Sequence, residues 1–170
     1  MMNIILFSRN QLKHRPEQLR TMFASIKHHG FEYSVNEDFA NIIESLTDIR
    51  IDAQHRYTIS PSHSQNSVIV TYGGDGTLLD ALSLRPTPDT PIVGINCGRL
   101  GYLTADNGEG IEELFGRIAE QKLNFEQRHM LKVESSLSDI MPLALNEVTI
   151  HRHGATMISV EALINGKTIS

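Results

Sequence analysis

The ten residues from Val68 to Thr77 constrain the fold of this chain more than any other stretch. They read V-I-V-T-Y-G-G-D-G-T: five apolar or β-branched residues, then three glycines around one aspartate. Short apolar runs of this kind form buried strands, and we expect Thr77 to cap the leucine-rich helix that follows. A strand, a glycine turn and a helix in this order present backbone N–H groups to an anion, usually a phosphate.

Asp75 is the unusual residue of this turn, because a carboxylate repels a neighbouring phosphate. A carboxylate is expected there only where a metal ion must be bound or a proton accepted. This conflict favours catalysis over simple binding. G-G and D-G are also ordinary turn dipeptides, so Asp75 could instead occupy a loop without a chemical role. The segment alone leaves both interpretations open.

A second glycine-rich segment, from Asn96 to Thr104, reads N-C-G-R-L-G-Y-L-T and follows a strand-like run at 91–95. Two glycine turns at the carboxyl ends of successive parallel strands would line one crevice, which is where open α/β sheets bind ligands. The second turn therefore favours a functional site at the first.

The order of the patterns predicts a Rossmann-like, doubly wound α/β domain at residues 1–122, since strand-like runs alternate there with helical ones. The clearest helix begins at Pro16 and ends before Gly30. Residues 47–66 form a polar loop that is long for a compact domain. It is mobile or functional, or it contains a short strand near 57–59.

From residue 123 onward the pattern changes to alternating, β-branched stretches. This change predicts the beginning of an antiparallel, all-β domain at residues 123–170. Asn165-Gly166 is the strongest short hairpin signal in the chain, and only four residues follow it. We therefore expect the chain to be the N-terminal portion of a longer protein, with an incomplete β domain.

Composition excludes several classes of protein. The chain is 40% hydrophobic and 21% charged, as in ordinary globular proteins, and no apolar run is long enough to span a bilayer. A net charge of −5 without a basic stripe argues against nucleic-acid binding. The single cysteine, Cys97, excludes an internal disulfide and indicates a reducing compartment, so we predict a cytoplasmic protein without a membrane partner. We predict no resident metal site, because the histidine pairs 28–29 and 151/153 offer too few ligands.

Taken together, the motifs resemble those of the NAD kinase family. G-G-D-G-T, N-x-G-x-x-G-aromatic-L-T and the pair Asn146-Glu147 occur in that family's order and approximate spacing. The resemblance implies transfer of the γ-phosphoryl group of ATP, with Mg²⁺, to the 2′-hydroxyl on the adenosine ribose of NAD, giving NADP. It also implies a homo-oligomer, a dimer or tetramer, whose subunits contribute to each other's sites.

The resemblance assigns roles to individual residues. Asp75 matches the position that takes the proton of the ribose hydroxyl as the bond to phosphorus forms. The residues matched to contacts with the nucleotides are Gly73, Gly74, Gly76, Tyr102, Asn146, Glu147 and, more loosely, Thr156. Asp80 departs from the family, which often has a basic residue there, so a phosphate contact from that position is in doubt.

Some alternatives stay open. Tyr102 could be a half-buried core aromatic. The chain could bind nucleotide without turnover, because part of the family's substrate pocket would lie beyond its end. The G-G-D-G-T signature also serves kinases that act on a lipid or sugar hydroxyl, although the second glycine turn and the pair Asn146-Glu147 favour the dinucleotide.

Overall fold

A computed structural model describes residues 2–9, 14–61, 66–97, 102–104, 110–136, 142–155 and 157–169. The chain forms two compact units, Met1–Gln127 and Arg128–Ser170. The domain division expected from the sequence, 1–122 and 123–170, stays a prediction.

The centre of the first unit is a five-stranded parallel sheet. Its strands are β1 (Asn3–Phe7), β2 (Glu32–Asn36), β3 (Arg56–Tyr57), β4 (Ser67–Tyr72) and β5 (Ile92–Ile95). They lie in the order β3-β2-β1-β4-β5. The helices are α1 (Pro16–His28), α2 (Glu37–Leu46), α3 (Asp75–Asp80) and α4 (Ile111–Ala119).

Both faces of this sheet are covered, which explains why its central strands are apolar without alternation. Because side chains alternate across a strand, Ile4 and Leu6 of β1 join a large cluster with α1, α2 and α4. Ile5 faces the other way and packs with Ala81 in the 3₁₀ turn that continues α3. The predicted doubly wound α/β fold is confirmed.

The strand order places a switch point between β1 and β4. The chain runs from β1 outward through β2 and β3, then returns to β4 and continues to β5 on the other side. Phe7 pairs with Thr71 near the carboxyl ends of the two central strands. The residues that follow them, Ser8-Arg9 and Gly73-Gly74, therefore emerge side by side where open α/β sheets bind ligands.

One local feature differs from the sequence-based expectation, and a second agrees with one of its alternatives, the short strand near 57–59. Thr77 does not cap the helix after the glycine turn: Gly74 is the N-cap, α3 begins at Asp75, and Thr77 is buried inside it. The loop 47–66 contains a 3₁₀ turn, Ala53–His55, and the two-residue strand β3. β3 completes the edge of the sheet, where its Arg56 is held by Glu37 and Glu44.

The second unit contains two small antiparallel sheets. Its strands are β6 (Leu131–Lys132), β7 (Leu143–Ala144), β8 (Ala162–Ile164) and β9 (Lys167–Ile169). The predicted hairpin at Asn165-Gly166 is confirmed, with φ of 50° and 78° at its two turn residues. Within 128–136, 142–155 and 157–169 no residue is buried. β-propensity without a packed face yields only short strands.

No helix in the described part of the chain is long and apolar enough to cross a membrane.

Candidate active site

The glycine turn G-G-D-G lies directly beyond β4 and is fixed to its neighbour. The Gly73 N–H donates to the Ile95 carbonyl at 2.9 Å, which extends the β4–β5 ladder past the end of the strand. The Gly74 carbonyl then accepts hydrogen bonds from the Thr77 and Leu78 N–H groups, at 2.9 and 3.3 Å. The sheet and the first turn of α3 thus position Asp75.

Both carboxylate oxygens of Asp75 accept hydrogen bonds from residues 102–104. Oδ2 accepts from the Tyr102 N–H at 2.8 Å. Oδ1 accepts from the N–H groups of Leu103 at 3.0 Å and Thr104 at 3.2 Å, and from the Thr104 hydroxyl at 3.4 Å. The carboxylate therefore ties the first glycine turn to residues 102–104.

These contacts decide the charge state of Asp75. Burial acts to raise the pKa of this carboxyl, but the three backbone N–H donors and the Thr104 hydroxyl outweigh it and lower the pKa below its usual value. Hydrogen bonds to the ionised form have this effect. Asp75 is a carboxylate at neutral pH, and it is half-buried rather than enclosed.

A buried amide and a strand glycine hold the 102–104 segment. The Asn96 side-chain amide donates to the Thr104 hydroxyl at 3.0 Å, and both residues are buried. A Cβ at Gly94 would lie 2.7 Å from Thr104 Cγ2 and 3.2 Å from Thr104 Cα. Glycine at this position of β5 therefore permits the close approach that brings the segment to Asp75.

Arg9 is the cation beside the glycine turn. Its Nε donates to Asp80 Oδ2 at 2.5 Å, and each side chain is 46% exposed. A Cβ at Gly76 would lie 2.8 Å from Arg9 Nη1, so the guanidinium lies over that glycine. Asp80, where a phosphate contact was in doubt, is the partner of this arginine.

The structure brings together all the predicted site residues that belong to the first unit. Gly73, Gly74, Asp75 and Gly76 form one turn, and Tyr102 adjoins it through its backbone. The Tyr102 side chain is 100% exposed, so the alternative of a half-buried core aromatic is wrong.

The remaining predicted residues belong to the second unit or fall outside the described residues. Asn146 and Glu147 are exposed and are separated from β7 by one residue, Leu145. Thr156, and Gly98 and Gly101 of the second motif, lie outside the described residues. The roles assigned to all the site residues stay predictions.

Sequence reasoning missed Arg9, Gly94 and the contact between Asn96 and Thr104. An isolated glycine inside a strand signals a close backbone approach, so Gly94 was detectable. Arg9 carries no comparable signal, because its partner Asp80 is 71 residues away in the chain.

The side chains that could act as ligands decide where a metal ion would fit. Among the described residues, no three His, Cys, Asp or Glu side chains lie close enough together to hold one. Asp75 and Asp80 already accept hydrogen bonds. An Mg²⁺ ion would therefore fit this edge as part of a bound triphosphate, whose oxygens are its usual ligands.

The fold and site define a doubly wound α/β domain with a glycine turn and a fixed carboxylate at its switch point. The profile of the ATP-NAD kinase N-terminal domain matches residues 7–123. This chain belongs to the NAD kinase family.

Individual relatives agree with this assignment. A NAD kinase of Flavobacterium psychrophilum is 31% identical over 154 residues, which cover 88% of this chain and 52% of that protein. A NAD kinase of Bacteroides fragilis is 28% identical over 168 residues, 97% of this chain and 57% of the relative. The chain thus spans about half the length of the curated relatives it matches.

The fold has a counterpart among solved structures. The crystal structure of yeast NADH kinase complexed with NADH superposes with a TM-score of 0.57 at 22% identity. The match covers 86% of this chain and 47% of the yeast chain. At this identity the likeness establishes the shared fold.

Proposed function

We propose that this chain carries the catalytic turn of an NAD kinase, which transfers the γ-phosphoryl group of ATP to the 2′-hydroxyl on the adenosine ribose of NAD. The observation that carries the proposal is the Asp75 carboxylate, fixed by residues 102–104 at the switch point of the sheet. Membership of the family supports the substrates.

Asp75 is the proton acceptor in this proposal. The ribose oxygen attacks the γ-phosphorus, the bond from phosphorus to the ADP oxygen breaks, and the hydroxyl proton passes to the carboxylate. From the residues that the structure describes, Oδ2 accepts one hydrogen bond, donated by Tyr102, whereas Oδ1 accepts three. A carboxylate oxygen has about two lone-pair sites, so Oδ2 is the oxygen that receives the substrate hydroxyl. A weak base suffices, because phosphoryl transfer depends mainly on positioning and electrostatics.

The glycines give the phosphates access to the backbone. No atom of the described residues would lie within 4 Å of a Cβ placed on Gly74, so the space in front of this residue is open on that side of the turn. Its φ of −100° suits any residue, and the open space rather than the backbone angle favours glycine. We propose that ATP enters here as its Mg²⁺ complex.

The other residues matched to dinucleotide contacts keep those roles in this proposal. The exposed ring of Tyr102 packs against NAD. Asn146 and Glu147 bind the ribose and adenine side, since an amide and a carboxylate together match a sugar diol and a base edge. Thr156 supplies a further contact.

Two properties of the whole protein belong to the same proposal. We propose that it acts in the cytoplasm, which the single cysteine favours, and that it assembles as a dimer or tetramer, which the family resemblance favours. Sedimentation velocity with and without NAD measures the assembly, and a monomer under both conditions would contradict it.

Nucleotide binding without turnover is the second candidate, and one observation favours it. No described residue of the second unit is buried, so its described part has no packed core to hold Asn146 and Glu147 rigidly. An assay of this chain with MgATP and NAD separates the candidates: NADP formation supports the kinase, and saturable binding without NADP supports the second. NAD, diacylglycerol and fructose 6-phosphate, compared as acceptors, test the lipid and sugar alternatives.

A further inference from the structure

We propose that Arg9 is a phosphate-binding residue of this site and that Asp80 is its positioning partner. The inference rests on the proposed function, because it assigns the cation that receives the phosphate chain at the glycine turn. Arg9 lies 66 residues before Asp75 in the sequence and outside both glycine motifs.

The backbone around Arg9 is tied to the catalytic turn. The buried hydroxyl of Ser8 donates to the Tyr72 carbonyl at 2.5 Å. Ser8 immediately precedes Arg9, and Tyr72 immediately precedes the first glycine. The His14 ring, which hydrogen-bonds to the same hydroxyl at 2.8 Å, stacks on Tyr72 with a centroid distance of 5.5 Å. Two adjacent chain segments thus hold the start of the Arg9 side chain next to the turn.

The guanidinium is oriented as well as placed. Asp80 engages Nε, and Nη1 is the atom nearest to the Cβ position of Gly76. A planar guanidinium can bond a carboxylate at one edge and phosphate oxygens at another. With Asp80 on the Nε edge, the terminal nitrogens face the backbone that the phosphates would approach.

Charge explains why the site requires such a residue. A triphosphate brought next to the Asp75 carboxylate meets a like charge, and backbone N–H groups only partly offset the repulsion. Arg9 places a full positive charge over Gly76. Its half-exposed side chain can still turn toward a ligand and neutralise phosphate oxygens. Little side-chain entropy is lost per hydrogen bond, because the guanidinium is planar.

Both substrates of the proposed reaction contain phosphate groups, so the experiment distinguishes them. The 170-residue chain and three variants are titrated with MgATP and, separately, with NAD, by isothermal titration calorimetry. Arg9→Gln removes the charge, and Arg9→Lys keeps the charge without the planar fork. Arg20→Gln is the matched control, because Arg20 is 43% exposed and is also paired with carboxylates, Glu17 and Asp48.

We expect Arg9→Gln to weaken the binding of at least one ligand about tenfold or more, the usual effect of losing a charge-assisted hydrogen bond. Arg9→Lys should show an intermediate loss, and Arg20→Gln should bind within about twofold of the unaltered chain. A loss for MgATP alone places Arg9 at the triphosphate, and a loss for NAD alone places it at the dinucleotide pyrophosphate.

Unchanged affinity of Arg9→Gln for both ligands, beside normal binding by the unaltered chain, would overturn the inference and leave the proposed function intact. Absence of binding by the unaltered chain would overturn both. Circular dichroism of each variant verifies the fold. If Arg9→Gln does not fold, Arg9→Lys decides the question. A loss of about threefold or more in its affinity for MgATP or NAD supports the inference, and a smaller loss of affinity overturns it.

Discussion

The Asp75 carboxylate accepts the Leu103 N–H at 3.0 Å across 28 residues of sequence. This contact and its neighbours give one side chain two tasks: it joins the first glycine turn to residues 102–104, and it presents a charged oxygen at the switch point of the sheet. Substitutions at Asp75 therefore alter both the position of residues 102–104 and the charge of the site.

Thr104→Val is expected to loosen the loop while leaving the acid in place. The substitution removes the hydroxyl that accepts from Asn96 and donates to Asp75. Loss of such a buried hydrogen bond lowers the free energy of unfolding by about 1–3 kcal/mol. Chemical denaturation measures it. Thr21→Val, which removes an exposed hydroxyl bonded to the Glu17 carbonyl, should change stability by less than about 0.5 kcal/mol; equal losses in both variants would contradict the role of Thr104.

Gly94→Ala tests the close approach of β5 to the 102–104 segment. The new methyl group would lie 2.7 Å from Thr104 Cγ2, and overpacking of this kind costs about 1–3 kcal/mol. Thermal unfolding should show a lower midpoint. Gly116→Ala is the matched control: Gly116 is in α4, and no atom of the described residues lies within 4 Å of a Cβ there, so alanine should stabilise by about 0.5–1 kcal/mol. Destabilisation by Gly116→Ala alone would contradict the packing described here.

The low pKa of Asp75 predicts a pH dependence of stability. Because the folded-state pKa is depressed, the carboxylate stabilises the fold above the usual aspartate pKa, and this contribution is lost as pH falls through the depressed value. Asp75→Asn also places an amide N–H group against backbone donors. The free energy of unfolding of this variant should therefore be lower than that of the unaltered chain at pH 7. The difference in free energy of unfolding should shrink toward pH 3. A difference independent of pH would show that the charge of Asp75 does not stabilise the fold.

Limited proteolysis should distinguish the two units. Within the described residues of 128–170 none is buried, whereas the first unit has a large buried cluster. A protease cleaves a segment while it is transiently open, so the less stable segments are cleaved first. Trypsin should therefore cut first at sites such as Arg128, Lys132 or Arg152 and leave a resistant fragment close to residues 1–127. Early cleavage inside α1, at Arg20 or Lys27, at the same rate as in the second unit would contradict this difference in packing.

Local sequence patterns predicted elements whose signals are self-contained. The bounds of β1, the start of α1 at Pro16 and the hairpin at Asn165-Gly166 follow from apolar runs, proline and a left-handed turn pair. The contacts that build the site depend on distant partners, as Arg9 with Asp80 shows. β4 ends at Tyr72, and α3 begins three residues later at Asp75. This early start overrode the local preference for Thr77 as a cap.

The second unit illustrates another limit. Alternating residues from 125 onward indicated longer strands than the two- and three-residue strands observed. β-propensity reflects packing on a half-buried surface, and in the described part of this unit Ile150, Met157 and Ile164 are 61–94% exposed.

The most direct test compares NADP formation by the unaltered chain, Asp75→Asn and Thr104→Val, with MgATP and NAD at neutral pH. Thr104→Val controls for loop position because it retains the carboxylate. If Asp75 accepts the proton, Asp75→Asn should lower kcat by about 10²–10⁴-fold, the usual contribution of a general base, while Thr104→Val loses about tenfold or less. Turnover by Asp75→Asn within a few-fold of the unaltered chain, or no greater loss than in Thr104→Val, would contradict the account.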